Sequence, residues 1–329
     1  MARLRPILKA LATVGKRERK TFGSISTNNF FWVTILLLRQ AGTFLYLLAA
    51  LVVLFPLSAD PLRRIPPERL ALWPLSGRDR RLLRVLSPWL NPVTWGLLLL
   101  AAWCVWHTES VGVLLLGLAL FGAGFFVPAF SGEPRYLNWI PAVGGTLGQL
   151  VRKNLREMLL TLDIYVAILL SVAGVAYRMW VRPFPPEALL MITLLIVLAL
   201  SSYAQCLFGL ESDGGMTRYR LMPLPGWRIL AAKDIAFLIV ILIVTAPLSP
   251  IAGLAAGLAA LAIGHAPSVD GMREQTRWRF STGGPLGVGA FQVVAMTGAG
   301  VTASRITPLI LIPCALACAG SAWWYGRRL

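Results

Sequence analysis

Long apolar runs, separated by short basic stretches, fill the chain from residue 30 onward. A membrane-spanning helix needs about 20 mostly apolar residues, and most of these runs approach or exceed that length. The runs are Phe30–Leu57, Val93–Trp106, Val111–Phe130, Met158–Tyr177, Glu187–Gly209, Ile235–Gly264, Leu286–Thr302 and Ile306–Tyr325. This pattern predicts an all-α fold, a polytopic helical membrane protein with about eight or nine hydrophobic helices.

The count depends on the run Ile235–Gly264, which as one helix would be about 45 Å long. Pro247 and Pro250 interrupt it, and an internal proline removes a backbone donor and breaks or kinks a helix. The prolines favour two short or tilted helices joined at Ala246–Pro250, and one kinked helix is the alternative.

Composition agrees with a membrane protein and argues against a nucleic-acid partner. Hydrophobic residues make up 57% of the 329 positions and charged residues only 14%, whereas soluble proteins carry about 25% charge. The net charge of +17 comes from basic residues in the loops, as in the cytoplasmic loops of membrane proteins. We therefore predict a multi-pass protein of a cell membrane, of the bacterial cytoplasmic type, that contacts the lipid bilayer and no nucleic acid.

The basic residues also suggest a topology and a division of the chain. Residues 1–29 form a predicted basic cytoplasmic or interfacial segment, followed by a first membrane half (30–210) and a second (211–329). The predicted cytoplasmic loops are Asp60–Pro92, Ser131–Glu157, Leu210–Asp234 and His265–Gly284. Phe30–Leu57 has basic residues on both flanks, so its topology and the side of the N-terminus stay open.

Two of the basic loops share a motif. Leu72-Trp73-Pro74-Leu75-Ser76-Gly77 recurs 149 residues later as Leu221-Met222-Pro223-Leu224-Pro225-Gly226, a candidate internal repeat of the kind that builds many transporters. Proline followed by glycine ends an arriving helix. The next stretches, Arg78–Leu90 and Trp227–Asp234, are predicted to restart as short helices. The first is amphipathic and suits a membrane surface, and a stop-transfer loop with solvated charges is the alternative.

The stretch Phe208–Arg228 with the following Lys233-Asp234 resembles permease subunits of type-2 ABC exporters. In that family an apolar helix leaves the membrane, turns at a Leu-Pro-Leu/Ile-x-Gly/Arg motif and continues to a lysine. The first motif, Leu72 to Arg84, looks like the same element. The chain departs from the family's common six-helix layout, since it contains more apolar runs.

The resemblance implies a permease that pairs with a second membrane subunit, identical or homologous, and docks a separate ABC ATPase subunit. The implied ATPase-coupling residues are Pro74, Leu75, Gly77, Arg78, Arg80, Arg81, Arg84, Pro223, Leu224, Gly226, Arg228 and Lys233. The chain contains no Gly-x-x-x-x-Gly-Lys-Ser/Thr phosphate loop. We therefore expect ATP and Mg²⁺ in the partner ATPase, and no cofactor or enzyme activity in this chain.

Residue chemistry predicts no catalytic, cofactor or metal site. The only histidines are His107, beside Glu109, and His265, and acids are too scarce to suggest a cluster. The other polar candidates are predicted to have structural roles. Glu211 and Asp213 are expected to cap a helix or pair with Arg218 and Arg220, and Cys314 and Cys318 are expected to be packing residues.

Asp163 lies inside an apolar run and is a candidate intramembrane polar site. Pairing with Arg156 or Lys153, or an interfacial position, are the alternatives. Gly253-x-x-x-Gly257 forms a smooth face that permits close helix packing, within the chain or between subunits.

Two other functions remain open. A lipid- or glycan-modifying membrane enzyme would need His, Asp or Glu clustered at one membrane face. A secondary transporter would need several buried polar residues in its spans, and the sequence offers only Asp163 and Gln205.

Overall fold

The computed structural model describes residues 5–17, 29, 73, 75–90, 140–141, 144–180, 186–211, 219, 221, 224–271 and 280–329. All regular structure in these residues is helical, which confirms the predicted all-α class. The chain divides into two compact units, Met1–Gly23 with Thr34–Asn138 and Ser24–Val33 with Trp139–Leu329. The predicted segments 1–29, 30–210 and 211–329 stay a prediction.

The described part of the first unit contains two amphipathic helices. They are α1 (Arg5–Arg17) and α2 (Gly77–Leu86), and the 3₁₀ turn Ser87–Leu90 extends α2. The Ser76 hydroxyl caps α2 by accepting the Asp79 N–H at 3.2 Å, which satisfies a donor left free at the helix start. Leu11 of α1 and Leu83 of α2 form a buried cluster, and Ile7, Leu8, Trp73, Leu75 and Leu90 pack against it. The helix predicted after the first motif is therefore present.

The second unit is a bundle of mostly apolar helices. They are α3 (Gly145–Met158), α4 (Leu162–Trp180), α5 (Pro186–Ala204), α6 (Gly226–Thr245), α7 (Pro250–Asp270), α8 (Leu286–Arg305) and α9 (Leu311–Gly326), with a 3₁₀ turn at Pro308–Ile310. Helices α5 and α7 are mostly buried, whereas α8 and α9 expose most of their apolar surface. Such exposed apolar faces suit contact with lipid.

Four helices in the described part are long and apolar enough to cross a membrane: Glu187–Ala204, Pro250–Asp270, Leu286–Arg305 and Pro308–Gly326. A fifth candidate is the pair α3 and α4, bent by 80°. The predicted runs Phe30–Leu57, Val93–Trp106 and Val111–Phe130 lie outside the described residues. The total of eight or nine helices therefore stays a prediction.

The run Ile235–Gly264 forms two helices, as its prolines predicted. Helix α6 ends at Thr245 and α7 begins at Pro250. The prediction of a separate short helix at Trp227–Asp234 was wrong, because this stretch forms the first turns of the 20-residue helix α6. No proline or glycine follows Gly226 before Pro247, so nothing stops the helix once it has started.

Gly253 and Gly257 face α6 within the same chain. A Cβ atom on Gly253 would lie 2.4 Å from the Thr245 Oγ1 atom, whereas one on Gly257 would lie 3.4 Å from the Ile241 side chain. The close approach of α6 and α7 therefore depends on glycine at 253 much more than at 257, since the first contact is far below van der Waals distance.

Candidate functional site

Helix α3 is amphipathic and lies next to the candidate membrane-spanning helices. Its first residue, Gly145, has φ +82°, a conformation that glycine adopts without steric cost. One face buries Gly148, Val151, Asn154 and Met158, while Gln149 and Lys153 on the other side are exposed, as is Leu147 in the first turn. The chain then bends by 80° into α4, and the Thr161 hydroxyl donates to the Met158 carbonyl at 2.8 Å in this bend.

Buried polar groups connect α3 to the helices that flank the second motif. We call this group the polar junction, and it comprises Lys153, Asn154, Glu157, Glu211, Tyr219 and Lys233. At its centre, the Lys233 Nζ atom lies 3.1 Å from Glu211 Oε1, 2.8 Å from the Leu207 carbonyl oxygen and 3.2 Å from Asn154 Oδ1. These three contacts match the three N–H donors of an ammonium group.

A second ammonium balances the charge of the polar junction. The Lys153 Nζ atom lies 3.0 Å from Glu211 Oε1, 3.5 Å from Glu157 Oε1 and 2.7 Å from the Tyr219 hydroxyl oxygen. The Tyr219 hydroxyl in turn donates to Glu211. Burial, and then the neighbouring Glu211, raise the pKa of Tyr219 well above its usual value, so its phenol keeps the proton that it donates. Two lysines thus face two glutamates, without net charge.

The centre of the polar junction is buried away from bulk solvent. The side chains of Lys233 and Glu211 are only 1% and 2% exposed, and the ring centroid of Phe208 lies 4.7 Å from Lys233 Nζ, within reach of a cation–π contact. Removing one partner from such a buried pair leaves an uncompensated charge in a low-dielectric site. The arrangement therefore holds α3, the segment after α5 and the start of α6 in one relative position.

The first set of predicted coupling residues lies on and beside α2. Gly77 is the first residue of α2, Arg78 is exposed, and Leu75 and Arg80 are half-buried. Arg81 and Arg84 belong to the same helix, but their side chains lie outside the described residues, as does Pro74.

The second set surrounds the start of α6. Gly226 is the first residue of this helix, as Gly77 is of α2, and Leu224 is half-buried. Arg228 is exposed and stacks over Trp227 at 5.3 Å, while Pro223 lies outside the described residues. Lys233 is completely buried. Its contacts within this chain are with Asn154 of α3 and with Leu207 and Glu211 after α5, and its predicted role in coupling stays a prediction.

Asp163 is buried and anchors the segment before α8. Its Oδ2 atom accepts hydrogen bonds from the Ser281 backbone N–H at 2.8 Å and from the Ser281 hydroxyl at 2.6 Å. Lys153, one of its two predicted partners, instead contacts Glu157, Glu211 and Tyr219. Asp163 thus fastens the start of α4 to the chain that leads into α8.

Among the remaining polar residues singled out from the sequence, the structure describes contacts of Glu211 and His265. Glu211 pairs with Lys153 and Lys233, and its predicted partners Arg218 and Arg220 lie outside the described residues. Asp213, His107 and Glu109 also lie outside them, while His265 is buried and contacts Asp234.

The sequence did not reveal Asn154 or Tyr219 as members of the polar junction. The i, i+4 spacing of Lys153 and Glu157 signals only a surface pair on one helix. The contacts that matter join residues far apart in sequence, such as Asn154 and Lys233. No protein-family model, curated protein or solved structure matches this chain.

Proposed function

We propose that this chain is the permease subunit of an ATP-driven exporter similar to type-2 ABC transporters. It would place about eight or nine helices in a cell membrane of the bacterial cytoplasmic type, with its two Pro-Leu-x-Gly loops as repeated coupling elements. A second membrane subunit would complete the pore, and a separate ATPase subunit would hold ATP and Mg²⁺. The resemblance around Phe208–Asp234 and the polar junction support this proposal.

The polar junction is the observation that carries the proposal. An ATPase must pass a movement of its own surface into helices that cross the membrane. Helix α3 offers an exposed face at a steep angle to α4, and Asn154 and Lys153 join it to Lys233 of α6 and Glu211 after α5. Because packed elements shift as units, displacement of α3 would move α4, the end of α5 and the start of α6 together.

Purification of the full chain from its native membranes tests the proposal. We expect a protein with a nucleotide-binding phosphate loop to co-purify in stoichiometric amount, with ATPase activity that vanadate inhibits. Purified complexes without such a subunit and without ATPase activity would refute the proposal.

Two variants then locate the docking surface. Leu147→Glu places a charge on the exposed first turn of α3 and should reduce the co-purified ATPase at least tenfold, about 1.4 kcal/mol of binding free energy. Glu187→Gln, on the exposed first turn of α5, is the matched control and should retain the ATPase. Equal recovery from both variants would show that α3 is not the docking surface.

A secondary transporter is the second candidate, because the spans contain a polar network that the sequence analysis did not find. Asn29 Nδ2 donates to Ser201 Oγ at 3.2 Å and to Gln292 Oε1 at 3.0 Å, and Gln292 Nε2 donates to the Ala260 carbonyl at 2.7 Å. Gln205 Nε2 also reaches Gln292 Oε1, at 2.5 Å. Solute uptake driven by an ion gradient in liposomes that contain this chain alone would favour this candidate.

A further inference from the structure

A second group of buried polar side chains lies on another side of α6. Asp234 follows Lys233, and because consecutive helix residues point about 100° apart, its carboxylate meets α7 and α9 instead of α3. The Asp234 Oδ1 atom lies 2.9 Å from His265 Nε2, and His265 Nδ1 lies 3.0 Å from Ser321 Oγ. Cys318 of α9 completes the group: one ligand atom each of Asp234, His265 and Cys318 lie within 4.8 Å of one another.

The hydrogen bonds assign the protons of His265. The Ser321 hydroxyl lies 2.8 Å from the Ala262 carbonyl oxygen, which can only accept, so the hydroxyl proton points there. Ser321 Oγ must then accept from His265 Nδ1–H. The other ring nitrogen, Nε2, faces a carboxylate oxygen at 2.9 Å, and two lone pairs at this distance repel each other. A positive charge, either a proton or a metal ion, has to lie between Nε2 and Asp234.

We propose that Asp234, His265 and Cys318 bind a divalent cation of the Zn²⁺ class. One carboxylate oxygen, one imidazole nitrogen and one thiolate sulfur are the ligand types that Zn²⁺ and Co²⁺ accept, whereas Mg²⁺ and Ca²⁺ prefer oxygen alone. Bond lengths of about 2.0 Å to nitrogen or oxygen and 2.3 Å to sulfur place tetrahedral ligand atoms about 3.3–3.6 Å apart. Asp234 Oδ1 and His265 Nε2, now 2.9 Å apart, would therefore separate slightly, and a ligand atom up to 4.8 Å away would approach by about an ångström. We expect side-chain rotations to provide these movements and a water molecule to take the fourth position.

The surroundings of His265 fit a metal ligand. Metal-bound histidines usually donate their other ring N–H to an oxygen, which fixes the tautomer and the ring orientation. His265 does so through Nδ1–H to Ser321, which is itself held by Ala262. As a metal ligand Cys318 would release its thiol proton, and the cation would then separate the thiolate from the buried Asp234 carboxylate.

The proposed site would join α6, α7 and α9 in the turn of α6 that also carries Lys233. The first turns of α6 would then be held on two sides, by the polar junction on one and by a metal ion on the other. The proposed site needs neither an ATPase nor transport, so it can be tested in the isolated chain.

Metal titration of the full-length chain tests the proposal. The protein is purified in detergent with a tag that contains no histidine, stripped with a chelator and titrated with Co²⁺ and then Zn²⁺. We expect about one equivalent of Co²⁺ per chain, with the visible absorption of a tetrahedral site and a sulfur-to-metal charge-transfer band. Zn²⁺ should displace the Co²⁺ and raise the melting temperature of the protein, because it binds only the folded state.

Cysteine variants separate this site from adventitious binding. Cys318→Ser should abolish the charge-transfer band and weaken metal binding at least tenfold. Cys314→Ser, one turn earlier on α9 and half-buried, is the matched control and should keep both signals. The proposal is overturned if the parent protein shows no cobalt band, since the positive charge is then a proton, or if the band persists in Cys318→Ser.

Discussion

The two ends of α5 carry ion pairs of nearly equal length in opposite surroundings. Glu187, in the first turn, lies 2.9 Å from Arg305, and Glu211, beyond the last turn, lies 3.1 Å from Lys233. The first pair is 59% and 48% exposed, whereas the second is 2% and 1% exposed. Water screens the first pair, so it contributes little, while each partner of the second is costly to leave alone. The contribution of these ion pairs to stability therefore depends on their burial and not on their length.

The same contrast extends across the bundle. At the end of α5 near the polar junction, buried hydrogen bonds also join Ser268 to the Leu207 backbone N–H and Asp163 to Ser281. At the other end, the contact of Arg178 with the Pro247 carbonyl is exposed, as is the pair of Glu187 and Arg305. The bundle is thus fixed by polar contacts at the end that carries α3 and the second motif, and held mainly by apolar packing at the other.

Lys233→Met should give the largest loss of stability. It keeps the length of the side chain but leaves Glu211 and Glu157 with Lys153 as their only lysine partner in the polar junction. Breaking a buried ion pair typically costs about 3–5 kcal/mol, so we expect a markedly lower melting temperature in detergent and little monodisperse protein. Thermal unfolding and size-exclusion chromatography measure both effects.

Lys153→Met is the matched control for that substitution. It removes the other ammonium from the same Glu211 oxygen, but the Lys153 side chain is 45% exposed, so water compensates for much of the loss. Its melting temperature should fall much less. Equal losses in the two variants would show that burial does not distinguish the two lysines.

Asp163→Ala should have an intermediate effect. The substitution leaves the backbone N–H and the hydroxyl of Ser281 without this acceptor, and an unsatisfied buried group costs about 1–3 kcal/mol. We expect a lower melting temperature and faster proteolysis in the chain before α8. Ser281→Ala removes only the hydroxyl bond and should destabilise less, and the reverse order would contradict the assigned contacts.

Glu187→Gln should have the smallest effect. Its partner Arg305 stays hydrated when the charge is removed, so we expect no detectable change in melting temperature at moderate salt. Unfolding curves recorded at low and high salt check this expectation. A fall in melting temperature as large as that of Asp163→Ala would mean that the Glu187–Arg305 pair contributes more to stability than an exposed ion pair should.

Local patterns were sufficient to predict most of the described spans. Apolar length alone located α5 and α8, and Pro247 with Pro250 located the break between α6 and α7, because these signals act within a few residues. The start of α6 was misplaced because the basic residues Arg228 and Lys233 resemble those of a loop. Only tertiary contacts bury Lys233, and its partners Glu211 and Asn154 are 22 and 79 residues away in sequence. For the same reason the sequence did not join His265 to Asp234.

The early polar turns of α6 also bear on how the protein enters its membrane. During synthesis α6 emerges with Arg228, Lys233 and Asp234 among its first residues, and each charge opposes insertion of an isolated helix. Asp234 meets His265 only after α7 has been made, and Ser321 and Cys318 follow still later. Helix α7, joined to α6 by the short turn at residues 246–249, is long and apolar enough to insert by itself. We therefore expect α6 and α7 to leave the translocation machinery as a hairpin, with the apolar helix carrying the charged one.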